Sequence, residues 1–199
     1  MLQKTAASGS STASAPARQR APEASAPQTG RKSESSRLFP TKNDLPAPTR
    51  ARVAELLNAR LADCIDLQTQ CKQAHWNVKG PSFIALHKLF DDINEDVEEY
   101  VDLLAERVVQ LGGIAEGTAR MVAERTTLEE YPIVTDGEAH VDALSSALAA
   151  FGSVTRKAID QVDELDDADT VDILTEISRG VDKWLWFVEA HLQGTPSSR

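Results

Sequence analysis

The chain has 199 residues, 41% of them hydrophobic, with 10 Gly and 9 Pro, which suits one packed domain plus a tail better than two domains. Its formal net charge of −10 is unevenly spread: residues 1–50 hold eight Lys/Arg against three acids, a balance of +5 that leaves −15 on the rest. No apolar run approaches the roughly 20 residues of a membrane span, and two cysteines, Cys64 and Cys71, are too few for a disulfide scaffold.

Residues 1–46 are rich in Ser, Ala, Pro, Thr and Gln, with almost no large apolar side chain before Leu38-Phe39. Such a segment buries too little surface to offset its ordering entropy, so a disordered basic arm is expected. It lacks the continuous apolar stretch of a secretory signal, although an Arg- and Ser-rich, acid-poor arm also fits an organelle transit peptide.

From Pro48 the pattern becomes helical. Val53, Leu57, Leu61, Cys64, Leu67, Cys71 and Ala74 recur at threes and fours, the core stripe of a long helix. On that helix Cys64 and Cys71 are about 10 Å apart in rise, too far for a disulfide. They read as small buried hydrophobes and fit a reducing compartment. Asn77 to Ser82 is a tight connection in which Gly80 permits the turn, Pro81 stops the first helix and Ser82 can cap the second. The second helix carries Phe83, Leu86, Phe90, Ile93, Val97, Tyr100, Leu104, Val108 and Leu111, and stops at Gly112-Gly113.

A mixed segment follows, with a short helix expected around residues 118–125. Thr135-Asp136-Gly137-Glu138 has a capping-box pattern that opens a third long helix with Leu144, Leu148, Phe151, Ile159, Val162 and Leu165 on its core face. Asp166 to Asp169 break the chain. Ile173, Ile177, Val181, Trp184, Val188 and Leu192 mark a fourth helix ending at Gly194. The expected fold is therefore all-α. Short links join the first and last helix pairs, and the long middle link contains a short helix. This is the single-crossover arrangement of ferritin-like four-helix bundles. The expected division is an arm at 1–46, the bundle at 47–193 and a short tail at 194–199.

Two of the four histidines flank the first turn: His75 closes one helix and His87 lies on the second turn of the next. Asp91, Asp102 and Glu106 follow. His87 and Asp91 are four apart, as are Asp102 and Glu106, so each pair shares a helix face. Alone, either pair is an ordinary solvated face. Together, two imidazoles and three carboxylates form a nitrogen–oxygen donor set suited to iron or zinc. Asp91 and Asp102 are about 16 Å apart along a helix and cannot hold one metal from one chain. Two antiparallel copies of the helix about a two-fold axis remove the conflict. Positions 87 and 106 share a midpoint with 91 and 102, between Asp96 and Val97. One register thus brings His87 to Glu106 and Asp91 to Asp102 across the axis. The spacing implies a pair of symmetric metal sites at a homodimer interface.

The run Lys72-Gln73-Ala74-His75-Trp76-Asn77-Val78-Lys79-Gly80, then Phe83, His87, Asp91, Asp102, Glu106-Arg107 and Leu111-Gly112-Gly113, resembles the signature of the Dps family of mini-ferritins. The stretch from Asp172 to Glu189 also resembles that family's fourth helix, so the likeness covers about Pro48 to Leu192. The resemblance implies a ferroxidase centre split between subunits, with His75, His87 and Asp91 from one chain and Asp102 and Glu106 from its neighbour. It implies two irons per centre, with zinc able to substitute in crystals, and oxidation of Fe(II), often by hydrogen peroxide in preference to oxygen. Ferric product would be stored in a twelve-subunit shell, protecting DNA in a bacterial cytoplasm, in association with the nucleoid.

Lys72 falls where the family often has a basic residue near the metals. Trp76 is either a radical-quenching ring beside His75 or a packed aromatic; the same choice applies to Trp186. Asp166, Asp167 and Asp169 fall where family members line a three-fold pore, while Asp is equally at home in loops and as a helix N-cap. Some members bind DNA through lysine-rich arms. Here Lys4, Arg18, Arg20, Arg31, Lys32 and Arg37 are sparser, so DNA contact is expected only as sequence-tolerant avidity from many arms, against a merely solubilising tail. A mainly structural, nucleoid-compacting protein is the alternative reading, opposed by a filled ligand set. Other ferritin-like oxidases use Glu-x-x-His pairs, and none occurs in the chain.

Overall fold

The computed structural model describes residues 38–193. Its helices are α1 (Ala47–Asn77), α2 (Phe83–Gln110), α3 (Ala119–Arg125), α4 (Gly137–Asp163) and α5 (Ala168–Glu189), and no strand occurs among the described residues. Four long helices with one short helix in the crossover are the ferritin-like arrangement that the periodicity implies.

The chain's punctuation explains most of the helix ends. Proline stands in the first turn of α1, where a missing N–H costs nothing. Gly80 takes φ 111° in the turn to α2, a conformation closed to most side chains. Ser82 precedes α2, but its side chain makes no capping bond. At α4 the cap is Asp136, one residue later than the Thr135 capping box would place it. The Asp136 carboxylate accepts from the Glu138 and Ala139 amides at 3.1 and 3.2 Å. The Thr135 carbonyl instead accepts the Lys79 amide at 2.8 Å, which holds that residue in the extended chain outside the helix. The last helix ends at Glu189 rather than at Gly194. Leu192, expected on its core face, is exposed, as is Phe83 at the start of α2.

That Lys79–Thr135 bond fixes topology. It brings the start of α4 to the α1–α2 turn, so α2 and α4 leave the same end of the bundle and run parallel. The crossover has to travel back along α1, and four polar side chains hold it there. Asn58 donates to the Ile114 carbonyl and accepts from the Glu116 amide, both at 3.0 Å. Fully buried Asp63 accepts from the Thr127 amide at 2.6 Å and is paired with Arg60 at 2.8 Å. Asp66 accepts from the Thr126 hydroxyl, and Gln70 donates to the Glu129 carbonyl.

The four-helix interior is lined by Leu57, Leu61, Leu67, Phe90, Ile93, Leu104, Leu144, Leu148, Phe151, Leu174 and Ile177. Across it, α2 meets α5 through polar bonds and one close steric fit. Trp184 Nε1 donates to Asp96 at 2.7 Å, and Arg107 donates to Thr170 and Asp167 at 2.8 and 2.7 Å. Lys183 also donates to Asp96 at 3.1 Å, and the Tyr100 hydroxyl fits closely over Gly180. Residues 38–46, which composition assigns to the arm, lie against the bundle: the Phe39 amide donates to Gly112 at 2.7 Å, and Arg50 donates to the Leu45 and Leu111 carbonyls.

Candidate metal centre

Helix α1 delivers His75 in its last turn, where carbonyl groups have no intrahelical partner; α2 delivers His87 from its second turn. The two rings stack with centroids 3.7 Å apart. His75 Nδ1 donates to the His87 carbonyl at 2.7 Å, and His87 Nδ1 donates to the His75 carbonyl at 2.8 Å. A carbonyl can only accept, so Nδ1 carries the proton on both rings. In the neutral ring that tautomer leaves the lone pair on Nε2, the form in which imidazole binds metal.

Asp91, one turn beyond His87, puts Oδ1 3.7 Å from His75 Nδ1 and 2.6 Å from Lys72 Nζ. The Lys72 hydrogen bond holds the Asp91 carboxyl below the usual carboxylate range, opposed by partial burial and helped by the Lys72 charge and, where they are protonated, by His75 and His87. The group is ionised and ready for a cation at neutral pH.

His75, His87, Asp91 and Lys72 thus come together within one chain. Asp102 and Glu106 do not join them: they lie exposed further along α2, with about 16 Å of helix rise between Asp91 and Asp102. Among the described residues of one chain, no three His, Cys, Asp or Glu side chains converge as a metal site. All four α2 donors nevertheless fall within a sector of about 100° of that helix, on the side away from the core.

Trp76 is 68% exposed beside His75, so in the single chain it is not a packed aromatic; Trp186 is also largely exposed. The three aspartates of the α4–α5 link separate. Asp166, at φ 58°, and Asp169 face solvent, whereas Asp167 is buried. Asp167 caps α5 by accepting from the Thr170 amide and hydroxyl, and its charge is matched by Arg107. Asp167 thus takes the helix-cap role that stood beside the pore expectation, and its carboxylate is already occupied within the chain. Lys4, Arg18, Arg20, Arg31, Lys32 and Arg37 lie outside the described residues.

Two buried polar groups near the centre escaped the sequence reading. Asn94, one turn past Asp91, is 8% exposed with Oδ1 unpartnered, and His140 is fully buried with Nδ1 3.0 Å from the Tyr131 hydroxyl. Each stands beside the apolar residue that carries the core period, Ile93 and Val141; that was the available signal.

The ferritin-like domain profile matches residues 54–197. The DNA protection during starvation protein of Agrobacterium fabrum is 47% identical over 154 residues, spanning 77% of this chain and 95% of that protein. The chain belongs to the Dps family. The corresponding protein of Brevibacillus brevis is 35% identical over 71% of the chain and 95% of its own length. Among solved Dps structures, DpsC from Streptomyces coelicolor superposes with a TM-score of 0.78 at 33% identity, over 83% of this chain and 98% of that one. Mycobacterium smegmatis Dps does so with 0.74 at 34%, over 80% and 96%. No helix of the described residues is long and apolar enough to cross a membrane.

Proposed function

We propose that the chain is a Dps-type ferroxidase and iron store, oxidising Fe(II) at centres completed by a second copy and holding the ferric product inside a twelve-subunit shell. The observation that carries this reading is the stacked His75–His87 pair: both Nδ1 atoms bond carbonyls, which in the neutral rings leaves both Nε2 lone pairs for a metal, and Asp91 lies one turn along α2, 3.7 Å from His75 Nδ1. Antiparallel pairing of α2 about an axis between Asp96 and Val97 supplies Asp102 and Glu106 of the partner subunit and completes two symmetric centres. The division into an N-terminal arm, a bundle and a tail is part of the same reading, with residues 38–46 counted to the bundle against which they lie.

Iron is the substrate. Two Fe(II) ions give up one electron each, hydrogen peroxide takes both, its O–O bond breaks, and two protons complete two waters. His75 and His87 supply borderline nitrogen donors that admit Fe(II). The carboxylates are hard oxygen donors that favour the ferric product, and with five protein groups shared by two irons, coordination positions stay open to the oxidant. Zn(II), which fits the same donors but has no redox chemistry, would compete. Removing iron and peroxide together starves hydroxyl-radical chemistry, the means by which the protein would protect DNA in a bacterial cytoplasm. The basic arms would hold the shell to DNA electrostatically.

The test is anaerobic Fe(II) loading followed by peroxide, tracked by absorbance and particle sizing, with His75→Ala/Asp102→Ala alongside the wild type. Rapid oxidation by a large shell is expected, slowed by about 100-fold or more in an intact mutant shell. A large shell without accelerated oxidation would favour a structural, DNA-compacting role instead. A wild-type monomer would sink the shared centre.

A further inference from the structure

A groove of about 420 Å³ runs along the seam between α1 and α2. Gln68, Thr69, Lys72 and Trp76 line it from α1, and Asn94 lines it from α2. It adjoins the candidate centre: Lys72 Nζ lies 2.6 Å from Asp91, and Asn94 follows Asp91 by one helical turn. Asn94 is more than nine-tenths buried, and its Oδ1 has no hydrogen-bond partner among the described residues of the single chain. A buried acceptor left bare is rare in folded proteins because it forgoes water without compensation, and it calls for an explanation in terms of a missing donor.

We propose that this groove holds hydrogen peroxide against the metal centre and that Asn94 selects it over dioxygen, an inference that rests on the ferroxidase reading above. The two oxidants differ in the property that Asn94 can sense. Hydrogen peroxide donates two O–H groups and accepts at both oxygens; dioxygen donates none. A turn of the Asn94 carboxamide presents Oδ1 to one peroxide O–H, and Lys72, which has three N–H donors and one bond to Asp91, can donate to the other oxygen. The groove is wide enough for the molecule and accompanying water, and the exposed Trp76 indole gives it an apolar wall next to His75. Asn94 is thus a positioning and specificity residue, while the electrons come from the two Fe(II) ions, as in the reaction above.

The experiment uses the assembled protein and compares initial rates of Fe(II) oxidation by hydrogen peroxide and by dioxygen in wild type, Asn94→Leu and Asn94→Asp. The leucine fills similar space without an acceptor, whereas the aspartate keeps one. The peroxide-to-dioxygen rate ratio is expected to fall about tenfold in Asn94→Leu, the worth of one hydrogen bond, chiefly through a higher KM for peroxide. In Asn94→Asp it should stay within about twofold of wild type. An unchanged ratio in Asn94→Leu overturns the proposal. So does loss of the shell in that variant, because the bare oxygen would then belong to a subunit contact. Crystals of the metal-free shell soaked in hydrogen peroxide give a readout independent of iron: paired-oxygen density within hydrogen-bond distance of Asn94 is expected, and an empty groove refutes the site. Slow oxidation by both oxidants in wild type would instead fail the ferroxidase reading, and the soak would still decide the groove.

Discussion

His140 shows what a single buried titratable residue does to the whole chain. Desolvation depresses its pKa, while the backbone carbonyls of Val134 and Asn77 and the charge of Asp136 pull the other way. The folded protein therefore keeps His140 neutral at a pH where the unfolded chain has already bound a proton. With more protons on the unfolded state, stability falls as pH drops below about 6.5, until the folded-state pKa is reached. Replacing His140 with Gln should flatten that slope by up to about 1.4 kcal/mol per pH unit, read from urea unfolding at fixed protein concentration between pH 7 and 5. An unchanged slope would show that other groups carry the acid sensitivity. Gly180 makes the complementary case through size. A Cβ there would overlap the Tyr100 hydroxyl and sit 2.8 Å from Cζ of the same ring. Alanine in a helix normally gains up to about 1 kcal/mol over glycine, but here overpacking by a stiff, buried ring should dominate. Gly180→Ala is expected to destabilise by about 1–3 kcal/mol, and Tyr100→Leu in the same chain should recover part of the loss in thermal unfolding.

At the level of elements, the crossover depends on α1 more than on itself. Its one helix, α3, has seven residues, too few to stand alone in water. Asn58, Asp63, Asp66 and Gln70 pin its backbone along about 18 Å of α1. Asp63 is the strongest of these pins, since its buried carboxylate serves both the Thr127 amide and Arg60. Asp63→Ala should cost about 3 kcal/mol by stranding Arg60 and the Thr127 N–H. Hydrogen exchange should quicken at residues 126–131 before it does in α2 or α4; uniform loss of protection would mean that the pin holds the bundle and not only the crossover. These four residues were visible in the sequence as polar positions on or beside the apolar stripe of α1. Nothing in the helical period says that their partners, main-chain atoms and the Thr126 hydroxyl, lie about sixty residues away.

For the molecule as a whole, the charge asymmetry makes a salt-dependent prediction. Residues 1–50 carry +5 and the remainder −15, so electrostatic attachment to DNA, on the proposed reading, would fall to the basic N-terminal residues and not to the acidic body. Removing residues 1–37 should abolish DNA retention in gel shifts while leaving peroxide-driven iron oxidation intact. In the full chain, log affinity should fall linearly with log salt, with a slope set by the number of phosphate contacts per shell. Retention by the truncated protein would assign DNA binding to the bundle surface.

The sequence by itself determined the helix count, the crossover, the family and the identity of the five candidate donors. Each of these rests on period, spacing or turn chemistry, which local covalent geometry converts directly into structure. The split between Asp91 and Asp102 was also legible, because helix rise alone forbids one chain from closing the site. Only the tertiary structure decided the rest. The reciprocal Nδ1–carbonyl bonds that leave both Nε2 atoms free need two helix ends brought face to face. Asp167 was withdrawn from solvent by Arg107, sixty residues earlier in the chain. The burial of Asn94 with its Oδ1 unpartnered among the described residues is likewise a product of packing. Partner choice of this kind is long-range: a side chain's bonding groups are written in the sequence, but which of them find a partner is settled by packing.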